Sequence, residues 1–147
     1  MNLSGGCQCG AVRFRVAGEL GRASLCHCRM CQKAFGGPYG ALVSANIADL
    51  TWTRGTLKRF QSSNRAHRGF CGDCGTPLTF ESREDVIDLA IAAFDTPDVI
   101  PPAIQLATES ALPWAVADLP TAGGEEQPKI EAHYASVVSH QHPDHDT

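Results

Sequence analysis

A chain of 147 residues is the size of one domain, and a hydrophobic content of 43% is enough for a single modest core. It contains no apolar run near the roughly 18 residues that a helical membrane crossing needs, which excludes an integral membrane helix. The net charge of −4 conceals a split: residues 20–72 carry eight bases (Arg22, Arg29, Lys33, Arg54, Lys58, Arg59, Arg65, Arg68) against Asp49 and stand at +7, and the rest stands at −11. Either a partner of opposite charge lies near the basic stretch, or the two parts neutralise each other across the fold.

In chain order, the first residues lack the basic and apolar regions of a secretory signal, so a reducing, cytoplasmic setting is expected. Thiols there stay free or bind metal, and an odd count of seven cysteines fits a disulfide framework poorly. Residues 11–16 alternate, with Val12, Phe14 and Val16 on one face and Arg13 and Arg15 on the other, the pattern of a half-buried strand. Residues 29–35 suit a turn or two of helix ended by Gly36. Short strands are predicted over 39–43, 50–53, 57–61 and 77–80, punctuated by Gly36-Gly37-Pro38, Gly55 and Gly75-Thr76-Pro77. Residues 86–94 fit a buried strand or a short helix and are read as a strand. Trp52 and Trp114 read as core or lid-packing residues. The expected fold is mainly β: a small single domain of twisted sheets over residues 1–120, with little helix. Residues 121–147 are polar and acidic and read as a flexible tail, with His140, His142 and His145 as solvated side chains.

The cysteines fall into three clusters: Cys7-Gln8-Cys9, Cys26-His27-Cys28-Arg29-Met30-Cys31 and Cys71-Gly72-Asp73-Cys74. Buried cysteines used as small hydrophobes would scatter instead. A C-x-x-C turn and an extended C-x-C pair each supply two thiolates, and two pairs close a tetrahedral zinc site. Grouping seven ligands as four and three therefore gives one closed site (Cys7, Cys9, Cys71, Cys74) and one with an open position (Cys26, Cys28, Cys31), the arrangement of a catalytic zinc. The other grouping, in which the middle cluster completes the C-x-x-C, would strand the N-terminal pair. A redox reading of Cys71–Cys74 needs a helix starting at the first cysteine, which Gly75-Thr76-Pro77 cannot continue.

Gly5-Gly6-Cys7-Gln8-Cys9-Gly10, Cys26-His27-Cys28-x-x-Cys31-Gln32-Lys33 and Gly69-Phe70-Cys71-Gly72-Asp73-Cys74-Gly75-Thr76-Pro77-Leu78 together resemble the glutathione-dependent formaldehyde-activating enzyme family, which also includes centromere protein V. Pro113-Trp114 and Asp118-Leu119-Pro120 resemble its closing motif, and the segment after Pro120 has no counterpart in it. The resemblance implies a zinc-held β fold with the same four-plus-three division of cysteines. It also implies a carbon–sulfur lyase activity that joins glutathione and formaldehyde into S-hydroxymethylglutathione.

Three thiolates leave the second zinc site near a net charge of −1, which disfavours water activation and favours a thiol as fourth ligand. Glutathione carries two carboxylates, for which Arg29 and Lys33 are candidate anchors, with Arg65 and Arg68 as further ones and Phe35 as a pocket wall. His27 lies between two ligands and can orient a substrate or move a proton, although an extended C-x-C points its ring away from the metal. A zinc-held module for a nucleic-acid or protein partner is the alternative function. Against it, the pI is near 5.8 and the basic stretch holds no basic run interleaved with aromatics beyond Lys58-Arg59-Phe60.

Overall fold

A computed structural model describes residues 1–116, 119 and 124–147. Its strands are β1 (Leu3–Gly6), β2 (Arg13–Val16), β3 (Ala23–Cys26), β4 (Gly40–Asn46), β5 (Leu50–Arg54), β6 (Leu57–Ser63), β7 (Ala66–Cys71), β8 (Pro77–Glu81), β9 (Val86–Ala90) and β10 (Ile104–Leu106). A three-stranded sheet runs β1-β2-β5, and a seven-stranded sheet runs β10-β3-β4-β9-β8-β7-β6. All pairings are antiparallel except β10 with β3. Among the described residues helix is confined to α1 (Arg29–Phe35) and α2 (Gln127–Ser136), apart from short 3₁₀ turns. The mainly β class expected from the sequence is what the chain adopts.

Alternation on β2 explains how the sheets meet. Phe14 is fully buried and takes Trp52 and Phe94 edge-on, with ring centroids 5.8 and 5.0 Å away. Leu78 of β8 and Leu89 of β9 enter the same core from the long sheet. Each such side chain contributes about 1.5–3 kcal/mol of transfer free energy, so the inter-sheet core outweighs any single polar contact. A bridge between Gly5 of β1 and Phe94, just past the 3₁₀ turn that follows β9, ties the small sheet to the chain leaving the large one.

Several expectations need correction. Arg13 does not face water: it is 2% exposed and forms two hydrogen bonds to Asp95, of 2.9 and 2.6 Å. A carboxylate brought from 82 residues away made burial of the charge tolerable, and a period-two pattern cannot see it. Residues 86–94 are a strand only to Ala90, after which a 3₁₀ turn carries the chain to Phe94. Trp52 packs on the core, whereas Trp114 is 61% exposed. The segment after residue 123 contains α2, which buries no residue. The residues beyond α2 reach the small sheet, where His142 N–H donates to the Gln8 carbonyl at 2.7 Å and Asp146 pairs with Arg15. The Asp118-Leu119-Pro120 motif lies largely outside the described residues.

Candidate metal centres and the cleft

The loop after β1 carries Cys7 and Cys9, Cys71 ends β7, and the turn that follows carries Cys74. That turn closes with Gly75 N–H donating to the Cys71 carbonyl at 2.9 Å, and Gly75 takes a positive φ of 79°, where a side chain would be strained. The four sulfurs lie within 4.8 Å of one another, with Cys7–Cys9 at 3.5 Å and Cys9–Cys71 at 3.9 Å. A zinc tetrahedron with Zn–S near 2.3 Å has an edge of about 3.8 Å, so this donor set fits a tetrahedral ion. Backbone N–H groups already aim at the sulfurs: Val12 at Cys7 (3.2 Å) and Asp73 at Cys71 (3.4 Å).

The thiols divide the charge unevenly. Burial works against ionisation of Cys74, but the Thr76 hydroxyl at 3.1 Å and nearby backbone donors outweigh it and bring the thiol down to about 6. The Ala11 amide favours the Cys9 thiolate, yet partial desolvation and the neighbouring sulfurs push Cys9 up to about 12. Burial also raises Cys71. Thus Cys74 gives up its proton readily while Cys9 and Cys71 resist, a conflict that a divalent cation would resolve by binding them as thiolates.

The second cluster arises where β3 hands over to α1. Cys26 ends the strand, and Cys28 caps the helix, its sulfur accepting from the Cys31 N–H at 3.3 Å. Cys31 lies one turn in and is buried, and the helix stops at Gly36 in the left-handed conformation (φ 62°), as its sequence predicts. The three sulfurs lie within 4.8 Å of one another. No fourth His, Cys, Asp or Glu ligand joins them among the described residues. Burial opposes ionisation of Cys28, but the Cys31 N–H and the Cys26 thiol lower it below the ordinary range. Burial pushes Cys31 up to about 12 against the pull of the neighbouring Arg68 guanidinium.

This cluster forms part of the wall of a cleft of about 760 Å³. The cleft is also lined by Arg22, Arg68 and Arg83, and by Glu19 and Asp88. Of the expected anchors, Arg29 is exposed and donates to its own helix neighbour Gln32 at 2.6 Å, and it does not line the cleft. Lys33 and Phe35 line a smaller groove of about 300 Å³, which shares Arg68 with the cleft. Arg65 sits exposed in the β6–β7 turn. His27 is 2% exposed and turned away from the sulfurs: its Nε2 bonds Gln105 Oε1 at 2.8 Å and its ring meets Tyr39 edge-on. Sequence reasoning missed Arg22 and Arg83 as cleft cations. The one local signal was the position of Arg22 on the approach to β3, four residues before Cys26.

The two-sheet fold and its paired thiol clusters define a small β-protein equipped to hold metal ions, one centre closed by four sulfurs and one left open with three. The chain belongs to the glutathione-dependent formaldehyde-activating enzyme family, whose model matches residues 2–110. An uncharacterized lyase of Schizosaccharomyces pombe is 32% identical over 76 residues, 52% of this chain. The match spans about half of that relative, 55% of its length. The crystal structure of a Rhodobacter sphaeroides protein shares the fold with a TM-score of 0.56 and 26% identity, over 69% of this chain and 98% of that one. No helix among the described residues is long and apolar enough to cross a membrane.

Proposed function

We propose that this chain is a zinc-dependent enzyme of the carbon–sulfur lyase type, acting on the adduct of glutathione or a similar thiol with formaldehyde or another small electrophile. The observation that carries the reading is the convergence of the Cys26, Cys28 and Cys31 sulfurs on the wall of a cleft, three ligands without a fourth. Zinc held by Cys26, Cys28 and Cys31 would supply the charge that keeps a thiol deprotonated at neutral pH. The thiolate sulfur bonds to the aldehyde carbon, the carbonyl π pair moves to oxygen, and that oxygen takes a proton from water.

Glutathione carries two carboxylates and one amine, and the cleft offers both signs. Arg22 and Arg83 suit the carboxylates, and Glu19 and Asp88 suit the amine. Arg83 Nη2 is already held 3.5 Å from Asp88 and 3.4 Å from Ser44 Oγ, which steadies that side chain at one end of the cleft. Lys33 and Phe35 act on substrate only if it reaches past Arg68 into the smaller groove. Cys7, Cys9, Cys71 and Cys74 hold the structural zinc in this reading.

Metal content of the native protein and of Cys28→Ser, with and without glutathione, tests the proposal. Two zincs per chain are expected, falling toward one in the variant while the fold persists. One zinc in both proteins, with no response to glutathione, would remove the catalytic-metal reading and leave a metal-held binding module.

A further inference from the structure

Arg68 is the one basic residue of the 20–72 stretch that the fold buries deeply. Its side chain on β7 is 4% exposed. Its Nη2 donates to Cys31 Sγ at 3.3 Å, its Nε donates to Ser62 Oγ at 2.9 Å, and its guanidinium lies 4.8 Å from the centre of the Phe80 ring. Among the described residues no carboxylate lies within 4 Å of it, and its buried Nη1 has no acceptor. A permanently charged side chain in such a place needs negative charge nearby to offset its lost hydration. The sulfur cluster is the nearest source, and it meets Arg68 at the cleft wall.

We propose that Arg68 is the counter-cation of the three-sulfur centre and makes its open position selective for an anionic thiolate over a neutral ligand. This rests on the reading of that centre as a thiol-binding zinc site. Three thiolates around a divalent ion carry −1, and a fourth thiolate would make −2 in a half-buried cleft. With Arg68 against Cys31 the unit is neutral before the substrate arrives and −1 after it. The added anion therefore meets no net repulsion, whereas without Arg68 it would. Nη1, which lacks a protein acceptor, adds two N–H donors to the same corner. Arg68 is thus a positioning and selectivity residue that acts through Cys31. Its burial against sulfur removes it from the set of surface carboxylate anchors that the sequence suggested.

The test uses full-length protein loaded with cobalt(II), whose visible absorption reports each thiolate added; the four-sulfur site contributes a constant background. Glutathione and imidazole are titrated separately into the wild type, Arg68→Met and Arg68→Lys. In the wild type, glutathione is expected to bind more tightly than imidazole at equal concentration of thiolate and free base. In Arg68→Met the ratio of the two affinities should fall about tenfold or more toward imidazole, and Arg68→Lys should restore most of it. General loosening of the site would weaken both ligands and leave the ratio alone. An unchanged ratio in Arg68→Met overturns the role of Arg68 while leaving thiol binding intact. No glutathione-dependent band in the wild type overturns the underlying reading as well. Should Arg68→Met not fold, a wild-type preference for imidazole is enough to overturn the proposal, and a wild-type preference for glutathione retained by Arg68→Lys upholds it.

Discussion

At the scale of single residues, the fold makes its largest electrostatic commitment at Arg13 and Asp95. Both side chains are nearly dry, 2% and 8% exposed, and Ser4 Oγ adds a third hydrogen bond to the carboxylate at 2.6 Å. Burial would raise the Asp95 carboxyl, but Arg13 and Ser4 overcome it and hold the group below its usual range. Because the folded value is depressed, the associated stability is present above the unfolded value near about 4 and is lost as pH falls through the lower folded one. Asp95→Asn would leave the buried guanidinium with only the more distant Asp146, at 4.0 Å, as counter-charge, at a cost of up to about 3–5 kcal/mol. Urea unfolding at pH 7 should show that loss. The variant should also lose the part of the wild-type acid limb that begins below about pH 4; an acid limb identical to wild type would mean that other carboxylates govern it.

At the scale of elements, the cleft depends on a strand that sequence periodicity did not reveal. β10 is three residues long and has no alternation to read, yet it pairs in parallel with β3 beside the second cluster. Gln105 on it bonds the buried His27 ring, and His27 N–H donates to the Leu106 carbonyl at 2.9 Å. β1, β3 and β7 were missed for a similar reason: glycine, polar residues or cysteines interrupt their apolar pattern. In contrast, β5, β6 and β8 and the helix α1 carried their own alternation or stop signals, and the structure places them within a few residues of expectation. The three cysteine clusters were legible because the spacing within each is local, and the meeting of Cys7 and Cys9 with Cys71 and Cys74 followed only from dividing seven ligands as four and three. The cleft cations were not, since Arg22 and Arg83 meet only through the β3-β4-β9 order. Gln105→Ala should leave His27 Nε2 unpaired and loosen the residue between two ligands. A stability loss of about 1–2 kcal/mol is expected. Zinc at the three-sulfur centre should bind about tenfold more weakly in chelator competition, as when a ligand's supporting hydrogen bond is removed. Unaltered zinc affinity would show that β10 supports the fold alone.

At the scale of the whole molecule, the two sulfur clusters have unequal consequences for folding. The three-sulfur cluster draws on residues within one short stretch, from the end of β3 into α1, so a metal held there would constrain little chain. The four-sulfur cluster joins the loop after β1, in the small sheet, to the β7–β8 turn at residue 71 of the large sheet. Cys7 and Cys71 are themselves part of the inter-sheet core, at 3% and 1% exposure, alongside Phe14 and Leu78. Removing an ion bound there would leave two buried thiols, Cys7 and Cys71, beside their exposed partners and untie the small sheet from the large one, since structural zinc sites contribute on the order of 10 kcal/mol to folding. Cys9→Ser should therefore lose its cooperative thermal transition or drop steeply in Tm, whereas Cys28→Ser should melt close to wild type. Circular dichroism on both variants with matched zinc supply measures this. Equal melting temperatures would mean that the hydrophobic contact around Phe14 holds the sheets together without the metal, and that both clusters serve chemistry rather than one serving the fold.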